Sequence, residues 1–392
     1  MPLILPLPNR IINVRRKTAK LLFWGKDIMT DILQELDGKA YTADIYKDYE
    51  IRLCRGDEYE DNQALLDNYW RKDHIFVLSK EMFDYQHLDK RTNEYHFIIA
   101  RERKTNEIHA ALGFVPTSQY DADIERMMVW PCIWINRKDV HRKGLGATMY
   151  HYLKENYPIE TISILGISET ALAIYQHWNF TTGKIKQYVM PNVKGREHLA
   201  KGLLNAYGEF SKKPADTMRL CPLERADYER LDPRDPIFTV NTKYKSKSYY
   251  INRYFEHPMY AYSFFAITDC DGRIAAILIA RVCGDGEANC LRIVDLIGDA
   301  AYLACVRTQI QELLQAENYE YIDFLEFGLE DQLLKNGGFI NRGEYADVIV
   351  PNYFEPFLRE NVDLDCAFKT VVRDAKFIIF KADADQDRPN VL

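Results

Sequence analysis

The chain has 392 residues, of which 47% are hydrophobic and 28% charged, and a formal net charge of -7. That apolar content with so small a net charge excludes disorder of the bulk, and roughly 150 residues per domain points to two or three domains. Apolar runs such as residues 274–280 fall far short of the ~20 residues a membrane-spanning helix needs, and no long Lys/Arg run is present to neutralise phosphates, so neither an integral membrane segment nor a nucleic-acid partner is expected.

Residues 1–48 read as an N-terminal extension, with a basic cluster (Arg15, Arg16, Lys17, Lys20) and a helical run over 27–36. Its first residues are apolar but broken by prolines, with no basic segment before them, so a cytoplasmic protein is expected rather than a secreted one. The eight cysteines contain no C-x-x-C pair, which fits reduced thiols better than a disulfide framework or a zinc site, and no metal is expected. From residue 49 the pattern becomes regular. A strand over 51–55 precedes a helix over 60–71 with Leu65, Leu66 and Trp70 at helical spacing. Two strands, 94–102 and 107–115, flank a polar turn, and a strand over 129–136 leads through a loop to a helix from Gly144. A strand over 161–167, a helix over 169–178 and a strand over 184–190 complete this stretch.

Residues 191–215 read as a linker helix, with a helix-like run over 197–210. Beyond it the order of elements starts again: a strand at 218–221, a helix at 226–231, a hairpin around Asp271-Gly272, a strand at 291–296, a helix at 301–315, a strand at 321–324, a helix at 331–336 and a closing strand. The recurrence predicts a duplicated fold, each copy an α/β unit on a mixed sheet.

The strongest local signal is Val-His-Arg-Lys-Gly-Leu-Gly-Ala-Thr-Met-Tyr at 140–150, which sets Gly144 and Gly146 between a strand and a helix. Such glycines let a bulky anion approach the free N–H groups and positive end of a helix, although a tight turn uses glycines in the same way. A dinucleotide fold would need a third glycine where Met149 stands, and a P-loop would need G-K-[ST] where Gly146 is followed by Ala147-Thr148. Both of those readings fall.

The run His141-Arg142-Lys143-Gly144-Leu145-Gly146 resembles the [QR]-x-x-G-x-[GA] loop of the GCN5-related N-acetyltransferase superfamily. Ala171-Leu-Ala-Ile-Tyr-Gln-His-Trp-Asn-Phe180 is similar to that superfamily's second hallmark, and the resemblance covers residues 49–190, with departures at His141 and Asn179. It implies a tandem acetyltransferase-like α/β fold, with residues 216–392 a degenerate partner that completes the acceptor site, and acetyl-CoA as acyl donor. The donor would lie on Trp134, Ile135 and Asn136 of a splayed strand, whose N–H groups would face the oxyanion, and on Arg142, Lys143, Gly144, Leu145, Gly146 and Ala147. Tyr175 sits where the superfamily keeps its general acid, and could instead pack its ring on the core. Glu125, beside Asp121 and Asp123, and His141 are candidate bases, and each also reads as a solvated loop residue. Thr117, Ser118, Gln119 and Tyr120 offer hydrogen bonds to an acceptor, or simple turn chemistry after Pro116. Asp73-His74 can be read as a helix-end pair lining that cleft.

The second half has a single glycine, Gly298, followed by Asp299, which would repel a pyrophosphate. Its Tyr244, Asn352, Glu355 and Arg388 are candidates for the acceptor, unless that half serves packing alone. The Asp-rich end reads as part of such a site, as a solvated tail, or as a metal site with too few fixed ligands to name. Residues 112–120, 351–357 and 383–390 are similar to acetyltransferases of bacterial surface-polysaccharide biosynthesis, which implies a small-molecule amino-sugar acceptor, nucleotide- or lipid-linked. Two alternatives stand beside this one: the tandem aminoacyl transferases of peptidoglycan synthesis, against which the intact Gly144-Leu-Gly146 counts, and a sugar-binding protein without turnover.

Overall fold

The computed structural model describes residues 39–208, 216–351, 357–373 and 377–389. The run at 27–36 lies outside them. In chain order the strands are β1 (Tyr49–Arg55), β2 (Leu88–Asp89), β3 (Glu94–Glu102), β4 (Ile108–Pro116), β5 (Met127–Asn136), β6 (Ile159–Ile167), β7 (Thr181–Lys184) and β8 (Lys186–Pro191). There follow β9 (Arg219–Pro222), β10 (Ser263–Thr268), β11 (Ile274–Gly284), β12 (Asn289–Gly298), β13 (Tyr321–Phe327), β14 (Ile340–Asn341), β15 (Asp365–Thr370) and β16 (Ile379–Phe380). The helices of the first half are α1 (Lys39–Asp48), α2 (Tyr59–Tyr69), α3 (Ile75–Leu78), α4 (Lys80–His87), α5 (Leu145–Asn156) and α6 (Glu169–His177).

The strands form two mixed sheets. One runs β1-β3-β4-β5-β6-β15-β7 with β2 on the side of β3, the other β14-β8-β13-β12-β11-β10-β9 with β16 on β13. Each stretch of chain gives one strand to the other's sheet. Thus β8 pairs with β13 from Tyr321↔Pro191 to Glu326↔Lys186, and β15 from the C-terminal part pairs with β6 from Asp365↔Ile167 to Thr370↔Thr161. Neither sheet is complete without both parts of the sequence.

β4 is buried along its whole length, which its near-continuous apolar run requires. On one face of the first sheet a core gathers Leu112, Val129, Leu145, Met149 and Tyr175. On the other, Phe76, Phe83, Phe97, Ile133 and Ile135 pack together. A third cluster joins the halves: Trp130 and Tyr120 from the first meet Tyr249, Tyr250 and Ile279 from the second.

Two expected helices are cut short for local reasons. Of the run at 197–210, only Leu203–Tyr207 is helical among the described residues. The Glu197 carboxylate accepts the Gly202 and Leu204 N–H groups, and Gly202 at φ 73° turns the chain into the left-handed region. The run at 301–315 divides into a 3-10 turn, Ala300–Cys305, and a helix, Arg307–Ala316. Val306, at φ -133°, is too extended to carry one helix through.

Candidate functional site

The site begins with an irregularity in β5. The register with β4 passes from Gly113↔Ile133 to Phe114↔Pro131, so Cys132 is an extra residue on β5, a β-bulge. Before the bulge Val129 faces the core beneath α5; after it Ile133 and Ile135 face the opposite core. Trp134 and Asn136 are thereby turned toward α5. Pairing of β5 with its parallel neighbour β6 runs only from Met127↔Ile159 to Val129↔Ile162. Past that point the two strands part.

A groove of about 370 Å³ occupies the opening, lined by Trp134 and Asn136 of β5, Arg142 to Ala147 at the start of α5, and Ser168, Thr170, Ala171 and Ile174 of α6 and its cap. Gly144 caps α5 at φ 77°, a conformation L side chains rarely adopt. The N–H groups of the first turn of α5, which helical geometry leaves without intrahelical partners, and the positive end of the helix dipole favour an anion here. Arg142, paired with Asp48 at 3.2 Å, and Lys143 add positive charge. At Gly146 a β-carbon would lie 2.9 Å from both Trp134 Nε1 and Asn136 Nδ2, so only glycine fits this approach without displacing a neighbour. The buried Trp134 Nε1 has no hydrogen-bond partner among the described residues. An unmet donor beside a helix N-terminus is what an acyl-CoA could satisfy, and the residues present fit that group.

The groove gathers Trp134, Asn136 and Arg142 to Ala147, while Ile135, two residues past Ile133 on the same side, is buried in the opposite core. His141 is exposed and does not line the groove. Glu125 is also exposed, just before β5, at the end of that strand away from the groove. Tyr175 lies behind the groove wall, its ring 6.4 Å from that of Trp134 and 5.1 Å from that of Phe180. Burial holds its hydroxyl well above the usual phenol range. Burial likewise pushes the Cys132 thiol up, with the charge of Asp385 adding to the rise and that of Arg388 opposing it.

Ser118, Gln119 and Tyr120 line a second, polar hollow of about 440 Å³ with Tyr85, Arg91 and Asn252. It lies toward the other end of β5, since Pro116 pairs with Val129 while Ala110 pairs with Asn136. Thr117 is buried, its hydroxyl accepting the Met128 N–H at 3.3 Å. Tyr244 donates to Glu160 at 2.9 Å and helps seat the second half on the first. Arg388 is buried over the Phe76 ring at 5.4 Å. Asn352 and Glu355 lie outside the described residues.

In the second half β12 and β13 pair in parallel from Leu291↔Ile322 to Ile293↔Phe324 and then part. Here the chain fills its own gap. β16 pairs with Glu326 and Phe327 of β13, and the Ala382 N–H donates to the Val294 carbonyl at 2.9 Å. Asp299 accepts the Ala301 N–H at 2.9 Å and caps a 3-10 turn, so its carboxylate takes the place an anion would need. The Asp-rich end is buried and ion-paired rather than solvated: Asp383 meets Lys245 at 2.6 Å and Asp387 meets Arg281 at 3.0 Å.

No protein-family model matches the chain, and no curated protein matches it. Among solved structures, a GCN5-related N-acetyltransferase from Anabaena variabilis aligns with TM-score 0.51 and 10% identity, covering 83% of this chain and 73% of that one. A probable N-acyltransferase of unknown function from Enterococcus faecalis aligns with TM-score 0.50 and 8% identity, covering 82% of this chain and 73% of that one. No helix among the described residues is long and apolar enough to cross a membrane. The likeness is one of fold: mixed α/β, with two separate mixed sheets of the tandem acetyltransferase-like type.

Proposed function

We propose that the protein is an acyl-CoA-dependent N-acyltransferase that moves an acetyl group to the amine of an amino sugar. One observation carries the reading: the groove between the parted ends of β5 and β6, where Gly146 is pressed against Trp134 and the free first turn of α5 opens beside it. Acyl-CoA would supply an activated thioester, with its pyrophosphate on the N–H groups of residues 145–147 and its arm between the strands. A carbonyl reaching the bulge at Cys132 meets backbone that the missing β6 pairing leaves available. Tyr175, kept protonated by burial, is the proton source for a departing thiolate. Cys132 is held as a thiol, which disfavours it as an intermediate acyl carrier and supports direct transfer. The polar hollow at Ser118 to Tyr120, with the Tyr85 and Tyr120 rings beside planar amide groups, supports a sugar acceptor.

The test is thiol release from acetyl-CoA and from a long-chain acyl-CoA in the presence of free and nucleotide-linked amino sugars. The reading requires turnover with acetyl-CoA that depends on a free amine. Thiol release that ignores the amine would overturn it.

A further inference from the structure

Beyond β16 the C-terminal segment first closes the gap of the second half. There the register of β11 with β12 passes from Ile279↔Asp295 to Ala280↔Ile293, so Val294 is an extra residue on β12 as Cys132 is on β5, and its carbonyl accepts the Ala382 N–H. Residues 383–388 then cross to the first half. The Gln386 side chain comes to rest against Gly166, itself an extra residue on β6, since Asp365 pairs with Ile167 and Cys366 with Leu165. A β-carbon at Gly166 would lie 3.1 Å from Gln386 Oε1 and 3.5 Å from its Cδ and Nε2, so the carboxamide takes the space a side chain would need. Gly166 stands two residues before Ser168 of the groove wall.

On the β5 side Arg388 lies over the Phe76 ring at 5.4 Å, in the core on the face away from α5 that also takes Ile133 and Ile135. The charges of Asp385 and Arg388 act on Cys132 at the bulge. Residues 385–388 therefore reach from one parted strand to the other and back the groove on the far face of the sheet. The run is held firmly. Gln386 Nε2 donates to Asp385 Oδ1 at 2.5 Å, Arg388 Nε donates to Oδ2 at 3.2 Å, and Gln386 is only 8% exposed. His74, edge-on to Phe76 at 4.9 Å, is kept neutral by burial, its pKa lowered to about 2, and so sets no second charge against Arg388.

We infer that Gln386 is the stop that limits the donor to a short acyl group. The inference rests on the acyl-CoA reading above and adds the length of chain the donor carries. With the arm between the strands, an acyl chain lengthens from the bulge toward the far face, and there it meets a buried carboxamide set against Gly166. An acetyl group ends before it; each further methylene must displace Gln386 or bend back into the groove. Close-packed interiors yield little to such an insertion. The second half thereby takes part in the reaction, because the segment that fills its own gap is anchored there and sets the depth of the gap in the first half.

The experiment is calorimetric titration of the full chain with CoA, acetyl-CoA and hexanoyl-CoA, repeated on Gln386→Ala, Gln386→Ser and Gln386→Met, with circular dichroism to confirm the fold. Wild type should bind acetyl-CoA about 10-fold or more tightly than hexanoyl-CoA. Either small side chain should open the stop and bring hexanoyl-CoA to parity or beyond, at roughly 4-fold for each methylene that becomes buried, with acetyl-CoA affinity within about 2-fold of wild type. Gln386→Met loses the same hydrogen bond to Asp385 but keeps the length of the side chain, so it should keep the wild-type preference. Equal binding of the two thioesters by wild type, or a preference unchanged in a folded small variant, overturns the stop, while CoA binding leaves the donor groove standing. A preference lost in Gln386→Met as well belongs to the hydrogen bond and overturns a steric stop. No binding of CoA by wild type overturns the donor reading and the stop with it.

Discussion

Gly146 and Trp134 approach so closely that a β-carbon on the glycine would sit 2.9 Å from the indole nitrogen, and that nitrogen has no partner among the described residues. The contact is a consequence of the bulge at Cys132, which turns Trp134 toward α5. If the indole N–H serves the donor, Trp134→Phe should leave the thermal midpoint unchanged or slightly raised, because it removes an unmet buried donor. Acetyl-CoA affinity should fall about 2- to 10-fold, one neutral hydrogen bond's worth. Titration and a melting curve on the same sample check both.

Tyr175→Phe keeps the ring that packs on Phe180 and removes only the hydroxyl. With Tyr175 as general acid, kcat should drop about 100-fold or more while the KM for acetyl-CoA stays near wild type. An unchanged kcat would assign the residue to packing.

Burial holds His96 neutral, with its pKa lowered to about 4, and His257 likewise, lowered to about 3, in addition to His74. Each binds a proton in the unfolded chain near pH 6.5 but not in the folded one. Their contribution is present above pH 6.5 and is lost as pH falls toward the folded values, at up to about 1.4 kcal/mol per pH unit for each ring. Urea unfolding at pH 7.5, 6 and 5 should show stability dropping more steeply than one histidine allows. A flat profile would contradict this.

Glu326 has the opposite sign. Burial raises its pKa to about 7, and its Oε1 has no partner among the described residues. Folding therefore favours the protonated form, and stability is lost as pH rises from about 4.5 through 7. Glu326→Gln should stabilise the protein at pH 8.5, by roughly 3 kcal/mol, and give no advantage at pH 5. Denaturant midpoints at the two pH values decide it.

Local pattern located most of the elements and the glycine-bearing junction that opens α5. The strand over 94–102 matches β3 residue for residue, and Gly144 and Gly146 lie where the strand-to-helix junction was read. Periodicity carries no pairing information, however, so it could not show β8 and β15 crossing to each other's sheets. The bulge at Cys132 left no composition signal, and with it went the reason why Trp134 rather than Ile135 faces α5. Short helices such as Ile75–Leu78 were missed because one turn has too few residues for a period. The buried C-terminal segment was the largest surprise. Its run of aspartates looks solvated until Lys245, Arg281 and Arg388 are brought to it by contacts distant in sequence.

The donor groove is tested most directly by calorimetric titration of acetyl-CoA into wild type and Gly146→Glu, with circular dichroism to confirm that both are folded. Micromolar binding by wild type and none by the variant is the expected result, because the new side chain would fill the space beside Trp134 and set a carboxylate at the positive end of α5. Equal binding by the two, or no binding by wild type, would contradict a donor site there.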